Sequence, residues 1–467
     1  MAPRLYELNS HMNFIKGSTM QLRKNCKSGL SEISIAQQMP PQEQHFWSFN
    51  HSGKRRIRQR HMLYATTWTM MIIFGIAFMS GSNLVKTRFR ISTNPRSRSL
   101  SQLETSNYMN TSLSAWDFES DSHPVQVIQT RFMQFQANLL ALGEARLEIF
   151  ESFCLPSILQ QSSNKYLWII RTDPDLHPQL KDPLLDMLRP YPNILLIGSN
   201  ENPEGFRQAS AVEDIVPGTS LWTGSYELLH HFYAEAQNRV LIETRLDADD
   251  GLHFGFVQYA QFTSMNIMAN SAHDEWIVYC AHQHLEWHYA NPFKTYSKSH
   301  DAGFIVGLQL GGCITPGLSF VYGLDVKRSD MPTGAHSHLH KIAPFCNETL
   351  KSKCILRTRE LTPAAIRART PTSAGMANVV VGNRRKNLGY RPSENDAKYQ
   401  DEIWTGVRRT FGIDRALIAK VRRSMKEHLV EIAADNLKGQ CTKGHSCKEN
   451  SKQILKELVL YAATAKR

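Results

Sequence analysis

Paired cysteines at metal-binding spacing are missing. The chain has 8 cysteines in 467 residues and no Cys-x-x-Cys, which argues against a structural zinc site. No internal repeat is apparent. The first 53 residues lack a long apolar period and scatter Gln, Ser and Asn, so residues 1–61 read as a mostly disordered cytosolic tail. Basic residues are scarce in the middle of the chain: residues 91–350 hold 16 Lys/Arg against 28 Asp/Glu, whereas residues 1–90 hold 13 against 3 and residues 351–467 hold 25 against 11. The overall charge of +12 therefore describes no single segment.

One apolar run stands out. Residues 62–81 carry no charge and include Met70–Met79, long enough at about 1.5 Å per residue to cross a bilayer. Lys54-Arg55-Arg56 and Arg58 precede it, and Lys86, Arg88 and Arg90 follow. The heavier positive flank predicts a cytosolic N-terminus and a lumenal C-terminal bulk. Some sixty residues precede the run and no clear small-residue cleavage site follows, favouring a single-pass type II anchor over a cleaved signal. Residues 82–123, rich in Ser, Thr and Asn, read as a stem. Seven cysteines fall on the lumenal side, and Cys346/Cys354 and Cys441/Cys447 are close enough to close small loops. With an odd number, at least one thiol stays free or pairs between chains. Asn110-Thr111-Ser112 and Asn347-Glu348-Thr349 are glycosylation acceptors usable in a lumen. The expected location is a Golgi or other secretory-pathway membrane.

From Pro124 the pattern alternates. Strand-like runs at Val125–Gln129, Tyr166–Arg171, Asn193–Gly198 and Val240–Ile242 are separated by helical periodicity over 138–158, 180–188 and 226–237. This is the pattern of an α/β domain with a mainly parallel sheet, expected over residues 124–350. A further helix is expected over 256–270 and a strand over 275–280. The glycines at 303, 307, 311, 312, 317 and 323 imply bulges and tight approaches.

The strand Val240–Ile242 runs into Arg245-Leu246-Asp247-Ala248-Asp249-Asp250-Gly251. Ligands bind at the carboxyl ends of parallel strands, and two carboxylates there can hold a divalent cation against a diphosphate. This predicts Mn²⁺ or Mg²⁺ on Asp249 and Asp247, with Asp247 alternatively reaching the donor ribose, Asp250 sharing metal or orientation duty, and Arg245 balancing the charge. An EF-hand from Asp247 would need an oxygen ligand at 251 and glycine at 252, where Gly251 and Leu252 stand. A nucleophilic-aspartate phosphotransferase would not place glycine at 251. His336, His338 and His340 alternate at strand spacing, and one of them, with His338 as the choice, could complete the metal site. His284-Leu285-Glu286-Trp287-His288-Tyr289 suits a sugar acceptor, with Glu286 and Asp301 as candidate bases.

Four segments in order, Gln129–Gln136, Phe153–Ser157, Leu167–Asp173 and Thr244–Asp250, resemble the putative rhamnosyl transferase family of glycosyltransferases. The resemblance covers about residues 125–345. It implies a GT-A-like nucleotide-sugar fold, a nucleotide-sugar donor bound near Arg131, Arg171 and Asp173, and a glycan or glycoconjugate acceptor. A catalytically silent, membrane-tethered glycan-binding protein is the alternative, and a sugar phosphotransferase a weaker one. The basic, partly helical extension 351–467, with helices expected over 416–429 and 452–463, is read as packing over the acidic domain and lending arginines to the diphosphate. A nucleic-acid partner does not suit a secretory lumen.

Overall fold

A computed structural model describes residues 123–201, 205–268, 274–292, 300–309, 312–332, 336–347, 349–373 and 398–441. The expected tail, anchor, nearly all of the stem, the Asn110 acceptor and the 452–463 helix lie outside these residues. Among the described residues, no helix is long and apolar enough to cross a membrane.

Along the chain run β1 (Val125–Phe132), α1 (Leu140–Ile149), a π-helical turn (Phe150–Cys154), α2 (Leu155–Leu159), β2 (Leu167–Thr172), α3 (Pro178–Leu188), β3 (Ile194–Gly198) and β4 (Leu221–Thr223). There follow α4 (Tyr226–Asn238), β5 (Leu241–Arg245), β6 (Asp250–Leu252), α5 (Phe256–Met268), β7 (Trp276–Ala281), β8 (Gln283–His288), β9 (Phe304–Gln309) and β10 (Leu318–Tyr322). The chain continues through β11 (Cys354–Thr358), β12 (Ala365–Arg369), α6 (Gln400–Phe411), α7 (Arg415–Glu427) and α8 (Leu429–Cys441). Local chemistry sets several ends. Ser225 caps α4 by accepting from Leu228 N at 3.0 Å, Asp414 caps α7 through Ala416 N at 2.7 Å, and Gly412 (φ +70°) stops α6 in the left-handed region.

Two sheets result. The larger has the order β11-β7-β10-β5-β1-β2-β3-β4, the smaller β6-β12-β8-β9. Strands β5, β1, β2 and β3 are mutually parallel, while β10 is antiparallel to β5 and β7, and β4 to β3. The large sheet is thus mixed, where a mainly parallel one was expected. Apolar runs with no period of two still resolve into two faces. Ile128, Trp168, Ile170 and Ile242 pack with Leu142, Ile149, Leu180 and Leu184 from α1 and α3, whereas Val127, Leu167, Ile169 and Leu241 pack with Leu228, Leu229 and Phe232 of α4. Both faces being covered, all six residues of β2 are buried.

The expected boundary at residue 350 does not divide this fold. Strand β11 pairs with β7 in the large sheet, and β12 lies between β6 and β8 in the small one. Disulfides link Cys346 to Cys354, as their spacing suggested, and Cys280 to Cys313. Cys154 is a buried free thiol.

Candidate active site

Because β1, β2, β3 and β5 are parallel, their carboxyl ends share one edge, and a cleft of about 340 Å³ opens there. Arg131 of β1, Arg171 of β2, Glu243, Arg245 and Asp247 at the end of β5, Phe320 of β10, and Arg328 line it. Arg171 is 4% exposed and bonds Gln129 Oε1 at 3.4 Å and the Ile215 carbonyl at 3.5 Å. Burial lowers its pKa to about 10, against the attraction of Glu243 and with help from the Arg131 charge. Arg245 is also lowered, first by burial and then by neighbouring Arg328. The guanidinium groups of Arg245 and Arg328 lie 4.8 and 4.6 Å from the Phe320 ring centroid. Glu243 accepts from Phe206 N at 2.5 Å and Tyr322 Oη at 3.1 Å and pairs with Arg328 at 3.7 Å.

The acidic segment leaves β5 where Leu246 N bonds Gln129 O, turns through Asp250 N to Asp247 O, and enters β6. It is seated on the π-turn and α2: Cys154 Sγ approaches Asp247 O at 3.8 Å, and Leu252 N donates to Ser157 Oγ at 3.2 Å. Gly251 suits that close seating. A Cβ there would stand 3.0 Å from Ile366 Cγ2 and 3.1 Å from Ser157 Oγ. Asp247 has its pKa raised to about 6 by burial and by Asp249, opposed by Arg367, a Thr315 hydrogen bond and Arg131. Asp250 is 1% exposed. Burial, Asp249 and Asp247 push its pKa well above the ordinary carboxylate range. Its Oδ1 accepts from Ala368 N at 3.0 Å, while among the described residues its buried Oδ2 has no hydrogen-bond partner. Asp249 Oδ2 accepts from Ser373 Oγ at 3.2 Å.

These donors suit a hard divalent cation. Three carboxylates repel one another across a half-buried segment, and oxygen is the ligand atom that Mg²⁺ and Mn²⁺ prefer. Among the described residues, however, no group of three or more His, Cys, Asp or Glu is placed to hold a metal ion. A cation held by Asp247 and Asp249 would take its other ligands from water and phosphate oxygens, as Mg²⁺ commonly does.

The histidine triplet is not extended. His336–His338 form a 3₁₀ turn and Leu339–Ile342 a short helix, so residues two apart do not share a face. His338, the expected ligand, is exposed. The histidine nearer the arginines is His336: it contacts Cys313 O through Nδ1 at 3.0 Å, and burial lowers its pKa, opposed by the Cys313 hydrogen bond and helped by the charges of Arg367, Arg245 and Arg369.

Neither expected base has the setting of one. Glu286 lies in the small sheet, 4% exposed. It accepts from Arg369 Nε at 2.8 Å and Nη2 at 2.5 Å, with His288 Nε2 at 3.2 Å and His284 Nε2 at 3.8 Å. Burial opposes its charge, but His284, His288 and Arg369 outweigh it and hold the carboxylate far below its ordinary range. Such a group anchors an arginine and does not take protons near neutrality. Asp301 is exposed and paired with Arg415 at 3.1 Å, lining a surface hollow with Trp404 and Asp401. Trp287 and Tyr289 are buried and do not offer a face to sugar. Asp173 does not line the cleft: it is 6% exposed and accepts from Asp175 N and Asn200 Nδ2.

Of the expected donor residues, Arg131, Arg171, Arg245 and Asp247 do meet in the cleft. Arg328, Glu243 and Phe320 were missed, as were Ser373 and Arg367 beside the acids. All but Glu243, which stands in β5 itself, arrive through long-range pairing and carry no local signal.

No curated protein matches the sequence. Among solved structures, the galactosyltransferase LgtC in complex with donor and acceptor sugar analogues aligns with 58% of this chain and 99% of its own at 10% identity. The TM-score is 0.22, too low to carry an inference. Residues 133–288 match the family model described as putative rhamnosyl transferase. That segment holds the π-turn, β2, β5 and all three acids, and over it the chain resembles this family of glycosyltransferases.

Proposed function

We propose that the chain transfers a sugar from a nucleotide-sugar donor to a glycan or glycoconjugate acceptor, with the donor diphosphate in the arginine cleft and Mn²⁺ or Mg²⁺ on Asp247 and Asp249. The carrying observation is a carboxylate-ended strand beside four guanidinium groups. Among the described residues, Arg131, Arg171 and Arg245 have no carboxylate within ion-pair distance, unlike Arg328. Cationic side chains left unpaired at a sheet edge create demand for an anion, and two phosphates meet it.

As the glycosidic bond breaks, negative charge grows on the leaving diphosphate. Fixed guanidinium groups in a partly dehydrated cleft stabilise that charge without reorganising. Glu243 holds Arg328 in place and keeps its own oxygens occupied. A bound divalent cation would supply Lewis-acid neutralisation at the same phosphates. Asp250, gripped by Ala368 N, supports the turn that presents Asp247 and Asp249.

The purified chain, given a panel of nucleotide sugars with Mn²⁺, should transfer from or hydrolyse at least one. Asp249→Ala should reduce that turnover about a hundredfold or more, in the range seen when a key electrostatic group is lost. Unchanged turnover in the variant would remove the metal assignment. Glycan binding with no nucleotide-sugar binding would identify a silent lectin-like protein instead.

The same proposal places the active site in a secretory-pathway lumen, most simply the Golgi, on a single-pass type II anchor at residues 62–81. The anchor's charge asymmetry supports it, and Asn347 is exposed beside a disulfide. Endoglycosidase sensitivity together with protease protection in sealed microsomes would test the orientation. Digestion of the C-terminal bulk without detergent would refute it.

A further inference from the structure

We infer that the loop Thr370–Ser373 is a clamp that positions Asp249 and Asp250, and that Arg146 and the C-terminal helix α8 hold it closed. This rests on the reading of Asp249 as a metal ligand and adds the residues that act through it. The loop follows β12 and is buried: Thr370, Thr372 and Ser373 are 0%, 1% and 8% exposed. Its far end supplies the Ser373 hydroxyl to Asp249 Oδ2 at 3.2 Å; the Ala368 carbonyl, 3.3 Å away, is that hydroxyl's alternative acceptor. Just before the loop, Ala368 N supports Asp250 Oδ1. One turn of chain therefore touches both acids.

The loop is gripped from two directions. Arg146 of α1 donates from Nη2 to Thr372 O at 3.0 Å and from Nη1 to Gln136 Oε1 at 2.6 Å. Its charge also acts on Asp249 and Asp247. From α8, Asn436, 1% exposed, donates to Pro371 O at 2.7 Å and Ser373 O at 3.2 Å. The preceding residue, Asp435, accepts from Ala141 N at 3.1 Å and so caps the first turn of α1, the helix that carries Arg146. Adjacent residues of α8 thus fix both the loop and the helix that clamps it. Groups that orient metal-binding carboxylates typically change metal affinity by 10–100-fold when removed. Ser373 and Arg146 are accordingly positioning residues, not catalytic ones.

The test is Mn²⁺ titration of the full chain, followed by the loss of the free Mn²⁺ paramagnetic resonance signal, with melting temperature in EDTA recorded for every variant. Ser373→Ala should weaken Mn²⁺ binding about tenfold at a near wild-type melting temperature, and Ser373→Thr, which keeps the hydroxyl, should recover most of it. Arg146→Lys retains the positive charge but shortens the reach to Thr372, and should also weaken binding. If Asp249→Ala abolishes binding while Ser373→Ala and Arg146→Lys bind as wild type, the clamp is wrong and the metal reading stands. If Asp249→Ala itself binds normally, both fail. Affinity losses that merely follow melting temperature, with Ser373→Thr no better than Ser373→Ala, also overturn the clamp.

Discussion

Asp247 sits where burial and the Asp249 charge raise its pKa to about 6 from an ordinary 3.8. In the metal-free protein its proton is bound more tightly in the native state than in the unfolded one, so its contribution to stability is complete below about pH 4 and is lost as pH rises through about 6. Melting temperature in EDTA should therefore carry a component that falls between these values, and Asp247→Asn should remove that component. Metal binding has the opposite sign, since a cation must displace the proton. Mn²⁺ affinity should be flat above about pH 6 and fall below it by about tenfold per pH unit, read by calorimetry at fixed ionic strength. An affinity independent of pH from 5 to 7 would count against Asp247 as a ligand. Arg171, buried at the base of the cleft, argues similarly for the donor. Hydrogen bonds to charged groups contribute about 1.5–3 kcal/mol, so Arg171→Met should weaken binding of a cognate nucleoside diphosphate by roughly 10- to 150-fold.

At the scale of elements, the site is a joint between two strands that do not look like strands. Strand β6 is only Asp250-Gly251-Leu252, and β12 is Ala-Ile-Arg-Ala-Arg, with Arg367 paired to Asp250 across the ladder. The joint is tight at position 251, with side chains of both β12 and α2 against it. In Gly251→Ala the new methyl would meet the side chains of Ile366 and Ser157 at 3.0 and 3.1 Å, and these would have to give by a few tenths of an ångström. Overpacking of this kind costs about 1–3 kcal/mol, and denaturant unfolding should show it together with weaker Mn²⁺ binding. Strands β1, β2, β3 and β5 were legible because each is a short apolar run ending in polar residues, and covered strands need no alternation. The acids were legible for the same reason, standing where such a run stops. Strand direction was not, because hydrophobic pattern records burial and not polarity of pairing, so the antiparallel β10 and β4 went unseen. The His336–His340 spacing misled because alternation has meaning only in extended chain, and there the chain turns. Arg328, Arg367 and Ser373 were invisible for a simpler reason: their roles depend on contacts up to 124 residues away.

For the whole molecule, the change of charge at about residue 350 suggested a basic module laid over an acidic domain. Some contacts have that character. Arg415 pairs with Asp301, and Arg422 donates to the carbonyls of Tyr289 and His300. The deeper connection is backbone: β11 closes one end of the large sheet, and β12 is interior to the small one. Removing residues 351–467 would leave β7 an open edge and separate β6 from β8, which are joined through β12. It would also uncover Phe153, Ile149 and their neighbours, which share a cluster with Trp404, Phe411, Ile418 and Met425. A chain of residues 124–350 should therefore fail to unfold cooperatively and should expose apolar surface to a hydrophobic dye, in contrast to residues 124–441. If the shorter chain melted as sharply as the longer one and lost only donor affinity, the extension would be an accessory after all. Charge sign along a sequence reports how residues meet solvent and ions, whereas the limits of a fold follow from which strands complete a sheet.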